Sequence, residues 1–307
     1  MITSKIIEKH GIPIRLDRYL RILNPNLAQG IIEQYLRKGL IKVNQKKAKS
    51  NLRIQNGDIV TIPDFVMATS ESTCESINFG AKKKYLARND SAELLANKLL
   101  TEYLLYDHSA FYAFYKAGGL ASQGGSKIGT SLDDALKYLG LRLVHRLDKD
   151  TSGIILAAKT RDAAITLTSA FSNNKIYKTY LACVKNHPKK SKGTITSYLL
   201  KQNNFTCVSY KTMVEGAKIA TTEYEVLAYS ALANLIKFTP LTGRMHQIRL
   251  HSKDLGCPII GDVKYGGVAN KNLMLHAYKV VLDSSIFGEE IVITAHVPEY
   301  FLVKENI

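Results

Sequence analysis

Val144-His145-Arg146-Leu147-Asp148-Lys149-Asp150-Thr151-Ser152-Gly153 is a cluster of ionisable and hydroxyl side chains set between two apolar runs. Leu141, Leu143 and Val144 lead into it, and Ile154, Ile155, Leu156, Ala157 and Ala158 follow it. Short apolar runs of this kind read as strands, so the cluster is expected to join two buried strands, the first running from Leu143 to Leu147. Polar groups in such a position are either satisfied locally or line a cleft. In a cleft, Asp148 would be a carboxylate held at a strand end on a rigid scaffold. Asp150 has a simpler reading, a turn residue whose carboxylate caps the amides of Thr151 and Ser152. Aspartates two positions apart share a face only on extended backbone, and a turn at Lys149 to Gly153 would part them. A glycosidase pair needs a fixed carboxylate separation, which this stretch does not specify.

The flanks extend the pattern. A helical apolar spacing (Ala92, Leu94, Leu95, Leu99, Leu100) is followed by Tyr103 to Tyr106, a turn at Asp107-His108-Ser109, and Phe111 to Tyr115, which together read as a hairpin. Downstream, Lys175 to Val184 alternates at period two and reads as a strand with Tyr180 and Ala182 on one face. Strand and helix patterns mix without a regular βαβ rhythm, which favours α+β over a doubly wound sheet.

The chain has 307 residues, enough for two domains, with 46% hydrophobic and 22% charged residues, an ordinary globular balance. Its charge is not ordinary. Lys and Arg number 42 against 26 Asp and Glu, a net +16, which points to a polyanionic partner, nucleic acid before membrane. No apolar run reaches the ~18 residues of a membrane span, and the first ten residues lack a signal-peptide core. Cys74, Cys183, Cys207 and Cys257 form no CxxC pair. That pattern suits neither a zinc site nor a disulfide framework, and it fits a reducing cytoplasm.

Residues 11–64 look like a separate module. Leu16, Tyr19 and Leu20 among Arg15, Asp17 and Arg18 begin an amphipathic helix, and a turn is expected at Asn24-Pro25-Asn26. Ile32, Tyr35 and Leu36 make the stripe of a second helix, which Gly39 stops after Arg37 and Lys38. Strands are expected from Leu40 to Val43 and, after Asn56-Gly57, from Asp58 to Ile62. Twelve basic but only five acidic residues lie within residues 1–65, nearly half of the excess charge. Arg37, Lys38, Lys42, Lys46 and Lys47 cluster at the second helix and the following turn, as a phosphate-contacting face would. A polar, unperiodic linker is expected at 65–84 and a larger domain at 85–307.

A third polar segment is Leu241-Thr242-Gly243-Arg244-Met245-His246-Gln247-Ile248-Arg249-Leu250-His251. His246 and His251, five apart, do not share a helical face as an i, i+4 metal pair does. Arg244 and Arg249 read instead as a phosphate contact and the partner of a buried carboxylate.

Arg15-Leu16-Asp17-Arg18-Tyr19-Leu20, Leu36-Arg37-Lys38-Gly39, Lys42-Val43-Asn44 and Asn56-Gly57-Asp58 resemble the ribosomal-protein-S4-like RNA-binding module. The longer region resembles the RluA/RluC/RluD family of ribosomal RNA pseudouridine synthases. The resemblance rests on His-Arg-Leu-Asp-x-x-Thr-Ser-Gly at 145–153, Lys-x-Tyr-x-Ala at 178–182 and Thr-Gly-Arg-x-His-Gln-Ile-Arg-x-His at 242–251. Gly256-Cys257-Pro258-Ile259, Gly261-Asp262, Tyr265 and Leu275-His276-Ala277 follow in the family's order. Gln123-Gly124-Gly125, Ser131 to Ala135 and the S4-like module lean toward the RluC branch. Two departures stand out: Tyr115-Lys116-Ala117-Gly118-Gly119 replaces the family's Asn-Lys-Pro-x-Gly, and Met245 stands where threonine is common.

The resemblance implies an α+β fold: a mixed, largely antiparallel sheet with a central catalytic cleft, behind a small α/β S4-like domain. It implies catalysis without cofactor or metal. Asp148 would be the essential carboxylate, Arg249 its ion-pair partner in a dry cleft, and Tyr180 the aromatic packed beside the target base. Leu275 would be an apolar contact near the site. Arg146 would fill the space left by the extruded base, while Arg244, His246, Arg15, Arg18, Arg37, Lys38 and Lys42 would bind RNA. The implied substrate is large-subunit (23S) ribosomal RNA or its assembly intermediates, acted on by a cytoplasmic monomer. A non-catalytic RNA-binding assembly factor on the same scaffold is the alternative, and a carboxylate-dependent glycosidase or nuclease a weaker third.

Overall fold

A computed structural model describes residues 2–6, 14–24, 27, 29–63, 79–124, 129–202 and 207–301. Pro25 and Asn26 of the expected turn, Gly125 and all but the end of the expected linker lie outside the described residues. The chain forms two compact units, Met1–Ala81 and Lys82–Ile307.

In the first unit, β1 (Ile2–Ile6), β2 (Ile14–Arg15), α1 (Leu16–Leu23) and α2 (Gln29–Lys38) precede β3 (Lys42–Val43), β4 (Lys46–Lys47), β5 (Arg53–Ile54) and β6 (Ile59–Pro63). Gly39, at φ +71°, ends α2 in the left-handed region, which costs glycine nothing. Asn44 and Gln45, both with positive φ, turn β3 into β4. Leu16, Leu20, Ile32, Ile41, Ile54 and Ile62 are wholly buried and give this unit a core of its own.

The second unit begins within α3 (Phe79–Thr101), then runs through the hairpin β7 (Leu104–Asp107) and β8 (Phe111–Lys116) to α4 (Leu132–Tyr138), β9 (Arg142–Leu143), β10 (Ser152–Ala158) and α5 (Arg161–Ser172). Five strands follow: β11 (Ile176–Val184), β12 (Lys192–Lys201), β13 (Cys207–Tyr210), β14 (Lys218–Ala228) and β15 (Asn234–Pro240). After these come α6 (Gln247–Asp254), β16 (Leu275–Leu282), α7 (Ser284–Phe287) and β17 (Ile291–Thr294). Eleven strands make one sheet in the order β13-β12-β14-β15-β11-β16-β10-β8-β7, with β17 beside β16 and β9 beside β10. Every pairing is antiparallel except β10 with β16, so the expected mixed, largely antiparallel sheet is present.

The parallel pair lies at the centre of the sheet. Gly153 pairs with Ala277 there at φ +111°, and a Cβ on it would stand 2.2 Å from the Ala277 carbonyl oxygen. Only glycine admits so close an approach. All seven residues of β10 are buried, as expected for a strand covered on both faces.

One expected strand is absent. The apolar run predicts a strand from Leu143 to Leu147, but regular pairing ends at Leu143 and residues 144–151 form a loop. Side chains take over the backbone groups that a ladder would have paired. The Ser122 hydroxyl donates to the Leu147 carbonyl at 2.6 Å and accepts from the Leu147 amide at 3.1 Å. The Leu156 amide donates to Nε2 of His145 at 2.8 Å. Asp150 is exposed, and the Thr151 amide donates to the backbone carbonyl of Asp148 rather than to an Asp150 cap.

Candidate active site

The loop 144–151 forms one wall of a cleft of about 590 Å³. β11, β16, α5 and the segment from Pro240 to Arg249 supply the other walls. Asp148, Tyr180, Arg249, Arg146, Arg244, His246 and Leu275 all line it. Three separate stretches of sequence therefore meet at one place. Arg15, Arg18, Arg37, Lys38 and Lys42 belong to the other compact unit.

Asp148 projects from the loop with a quarter of its side chain exposed. Nη1 of Arg249 donates to its Oδ2 at 3.3 Å. The expected ion pair is present, but it is the weaker half of Arg249's bonding, and the carboxylate is not dry. The guanidinium grips Asp262 with Nε and Nη2, each at 2.7 Å. Asp262 is 1% exposed and Arg249 11%. Burial alone would favour a neutral Arg249; the hydrogen bonds and charges of Asp262, with the charge of Asp148, outweigh it and hold the guanidinium firmly protonated.

The helix α6 explains the placement. Arg249 leaves the first turn of the helix, and His246, the residue before that turn, brings its ring to the same carboxylate. His246 opens the helix in the left-handed region, φ 55° and ψ 20°, a conformation that is costly for a histidine. Its Nε2 stands 3.7 Å from Oδ2 of Asp148. The preceding loop is pinned by Gln247. Its Oε1 accepts from the Thr242 hydroxyl at 2.7 Å and the Arg244 amide at 2.9 Å, while its Nε2 donates to the Thr221 carbonyl and the Thr222 hydroxyl at 2.9 Å each.

Tyr180 sits in β11 at a register shift between Thr179 and Tyr180. Burial, and then the charge of Asp148, push its phenol well above the usual range, so it remains a neutral ring with an intact hydroxyl. Leu275, the first residue of β16, is 3% exposed and pairs with Ala182. Arg146 is exposed, with Nη1 3.3 Å from Oε1 of Gln123. Arg244 is also exposed, and its Nε donates to the Ile219 carbonyl at 3.1 Å. Both guanidiniums keep donors for a ligand.

Sequence reasoning assigned no role to several neighbours. Lys116 is wholly buried, and its ammonium donates to the carbonyls of Ala117 (3.0 Å), Leu120 (2.8 Å) and Lys149 (2.9 Å). That ties the end of β8 to the loop carrying Asp148. Burial lowers its pKa to about 7, against the pull of Asp150 and Asp148. His145 is pushed down to about 3 by burial and by the charge of Lys178, which suits an imidazole that must accept the Leu156 amide. Burial also lowers the pKa of Lys178, at the cleft wall. A lysine closing the apolar run Phe111 to Tyr115 ahead of Gly118-Gly119 was a usable signal for Lys116; the pairing of Asp262 with Arg249 had none. Among the described residues, no group of three or more His, Cys, Asp or Glu side chains is placed to hold a metal ion.

In the first unit Arg18, Arg37, Lys38 and Lys42 are exposed. Arg15 is engaged locally, its Nε and Nη2 donating to Asp17 at 3.1 and 2.7 Å. Among the described residues no helix is long and apolar enough to cross a membrane.

Residues 110–254 match the family model described as RNA pseudouridylate synthase. A Rickettsia felis protein named ribosomal large subunit pseudouridine synthase C is 42% identical over 303 residues, covering 94% of this chain and 95% of its own length. A Vibrio cholerae protein of the same name is 31% identical over 257 residues, covering 82% of this chain and 76% of its own. Among solved structures, human RNA pseudouridylate synthase domain containing 4 is 26% identical with a TM-score of 0.59, over 71% of this chain and 95% of its own. The chain belongs to the RluA/RluC family of RNA pseudouridine synthases, isomerases that convert uridine in RNA to pseudouridine.

Proposed function

We propose that this protein isomerises uridines of large-subunit ribosomal RNA, with Asp148 as the acting carboxylate. The observation that carries the reading is the position of Asp148: a partly exposed carboxylate in a cleft wall, held through Oδ2 by Arg249 at 3.3 Å. The names of the relatives support the choice of RNA.

The base must leave the RNA stack before its glycosidic bond can be reached. The bond from ribose carbon-1 to uracil nitrogen-1 breaks, the base turns, and carbon-5 bonds to carbon-1. Carbon-5 then loses its proton and nitrogen-1 gains one. Asp148 acts either on ribose carbon-1 as a nucleophile or as a base toward the ribose. Both routes ask for an unobstructed carboxylate oxygen on a fixed side chain. Tyr180 offers a flat face for the extruded base. As a neutral phenol it could take the carbon-5 proton only by passing its own on, and Asp148 is the acceptor whose charge it feels. Leu275 closes the apolar side of the base pocket. Arg146, Arg244 and His246 are assigned to RNA at the cleft, and Arg146 to the gap that the base leaves. Arg18, Arg37, Lys38 and Lys42 are assigned to phosphates in an S4-like module, with Arg15 shaping that surface through Asp17. A monomer acting in the cytoplasm, where large-subunit RNA assembles, goes with this reading.

The test is to incubate unmodified large-subunit RNA with the protein and map pseudouridine, then to repeat with Asp148→Asn. Wild-type protein is expected to form product and Asp148→Asn none, with RNA still bound. Product from the variant at the wild-type rate would remove Asp148 from the chemistry. RNA binding without product from either would favour the assembly-factor reading.

A further inference from the structure

Two side-chain nitrogens converge on one oxygen of Asp148. Nη1 of Arg249 lies 3.3 Å from Oδ2, and Nε2 of His246 lies 3.7 Å from the same atom. Among the described residues no hydrogen bond reaches Oδ1. The two carboxylate oxygens are therefore unlike, one held by the protein and the other open.

Behind both side chains stands Tyr265. Its hydroxyl is 2.6 Å from Nδ1 of His246, and it accepts the backbone amide of Cys207 at 3.3 Å. Its ring lies under the guanidinium of Arg249, 5.0 Å from the centroid, and meets the His246 ring edge-on at 70°. A phenol has one proton to give. With a lone pair engaged by the Cys207 amide, the Tyr265 hydroxyl is turned to donate to Nδ1. The opposite tautomer would bring a bare Nε2 lone pair against a carboxylate, which is repulsive. Burial raises the Tyr265 pKa, so the hydroxyl keeps its proton. Burial lowers the His246 pKa, and the charges around it divide: Asp148 and Asp262 pull it up, Arg249 and Lys264 push it down. His246 holds this geometry on a left-handed backbone.

We propose that Tyr265 is a positioning residue that fixes His246 as its Nε2–H tautomer, that His246 and Arg249 together hold Oδ2 of Asp148, and that Oδ1 is the oxygen presented to the ribose. The 3.7 Å separation is longer than a hydrogen bond, and in this proposal it shortens to one as the cleft fills with RNA. The proposal rests on the reading of Asp148 as the acting carboxylate.

Tyr265→Phe separates the two roles of Tyr265, because it keeps the ring under Arg249 and removes the hydroxyl from His246. In protein labelled with 15N-histidine, the His246 resonances (identified by their loss in His246→Gln) are expected to show the Nε2–H tautomer at neutral pH. In Tyr265→Phe the tautomer is no longer fixed and Nδ1 can take a proton. The single-turnover rate at saturating RNA is then expected to fall about ten- to a hundred-fold, the worth of one hydrogen bond to a charged group. The acid limb of its pH–rate profile moves to higher pH. His246→Gln, whose amide can still donate to Oδ2, is expected to run about ten times faster than His246→Leu. An Nδ1–H tautomer in the wild type, a wild-type rate and pH profile in Tyr265→Phe, or equal rates in the two His246 variants would each overturn the relay. A fully active Asp148→Asn would instead remove the reading beneath it.

Discussion

Arg249 serves two carboxylates unequally, and the inequality bears on the chemistry. Its two-pronged grip on Asp262 is short on both sides, whereas Asp148 receives one longer bond. A planar guanidinium matched to a carboxylate in this way is among the strongest side-chain pairs, and a lysine could not reproduce it. Asp262 thus carries most of the work of keeping Arg249 buried and charged. The guanidinium depends on Asp148 less than on Asp262, which leaves the Asp148 carboxylate the looser of the two. Asp262→Ala would strip a buried guanidinium of its main partner. It is expected to cost about 3–5 kcal/mol in urea unfolding, and to lower the single-turnover rate as Arg249 draws closer to Asp148. A variant within about 0.5 kcal/mol of wild type would show that the Asp262 pair does not hold the site. The sequence contained Asp262 within a recognisable Gly-Asp step, but its partner was not legible. The two lie thirteen positions apart across a helix end and a turn, and no periodicity connects them.

The helix α6 is the element on which the cleft turns, because its faces serve different masters. His246 and Arg249 point to Asp148, while Gln247 and His251, four positions apart, point into the sheet. His251 is wholly buried between two hydroxyls, with Nδ1 2.8 Å from Thr222 Oγ1 in β14 and Nε2 3.0 Å from Ser197 Oγ in β12. Burial lowers its pKa to about 4, against a weak pull from Asp254. Between pH 4 and the unfolded value of 6.5 the unfolded chain therefore holds a proton at this position that the folded chain does not. Stability from this residue is complete above pH 6.5 and is lost as the pH falls toward 4. In His251→Gln, which cannot titrate, that part of the acid sensitivity disappears. The stability difference between wild type and variant is expected to be constant above pH 6.5 and to shrink by up to about 1.4 kcal/mol per pH unit below it. A difference independent of pH would place the proton elsewhere. Regular elements of this kind were largely legible, since α1, α2, the β7–β8 hairpin and β11 follow from apolar spacing and turn residues. The loop 144–151 was not. An apolar run there looks like a strand, and only the distant Ser122 hydroxyl and the His145 ring show that its backbone is satisfied without one.

The two compact units carry their charge differently. The second carries a cleft with a few cations, each with a local partner or a place in its wall. Within the first, residues 1–65 hold nearly half of the excess positive charge in a fifth of the chain, around an apolar core of their own. Charge on that scale was visible in composition alone, because it needs no partner to be counted. What such charge would meet was not visible, since that depends on the shape of a partner. Arg37, Lys38, Lys42, Lys46 and Lys47 are all exposed at the end of α2 and in the β3–β4 hairpin, where strands two residues long leave little apolar surface to serve. If they contact phosphates, each contact releases counterions, and binding weakens with salt in proportion to the number of contacts. Changing all five to serine in the full-length chain is expected to reduce the slope of log K against log salt by about 3 to 5, at about 0.7–0.9 per contact. The single-turnover rate at saturating RNA should not change, because none of the five lines the cleft. An unaltered salt slope would show that this face does not meet the RNA backbone. A lower rate at saturation would show that it does more than bind, by presenting the target uridine to the cleft.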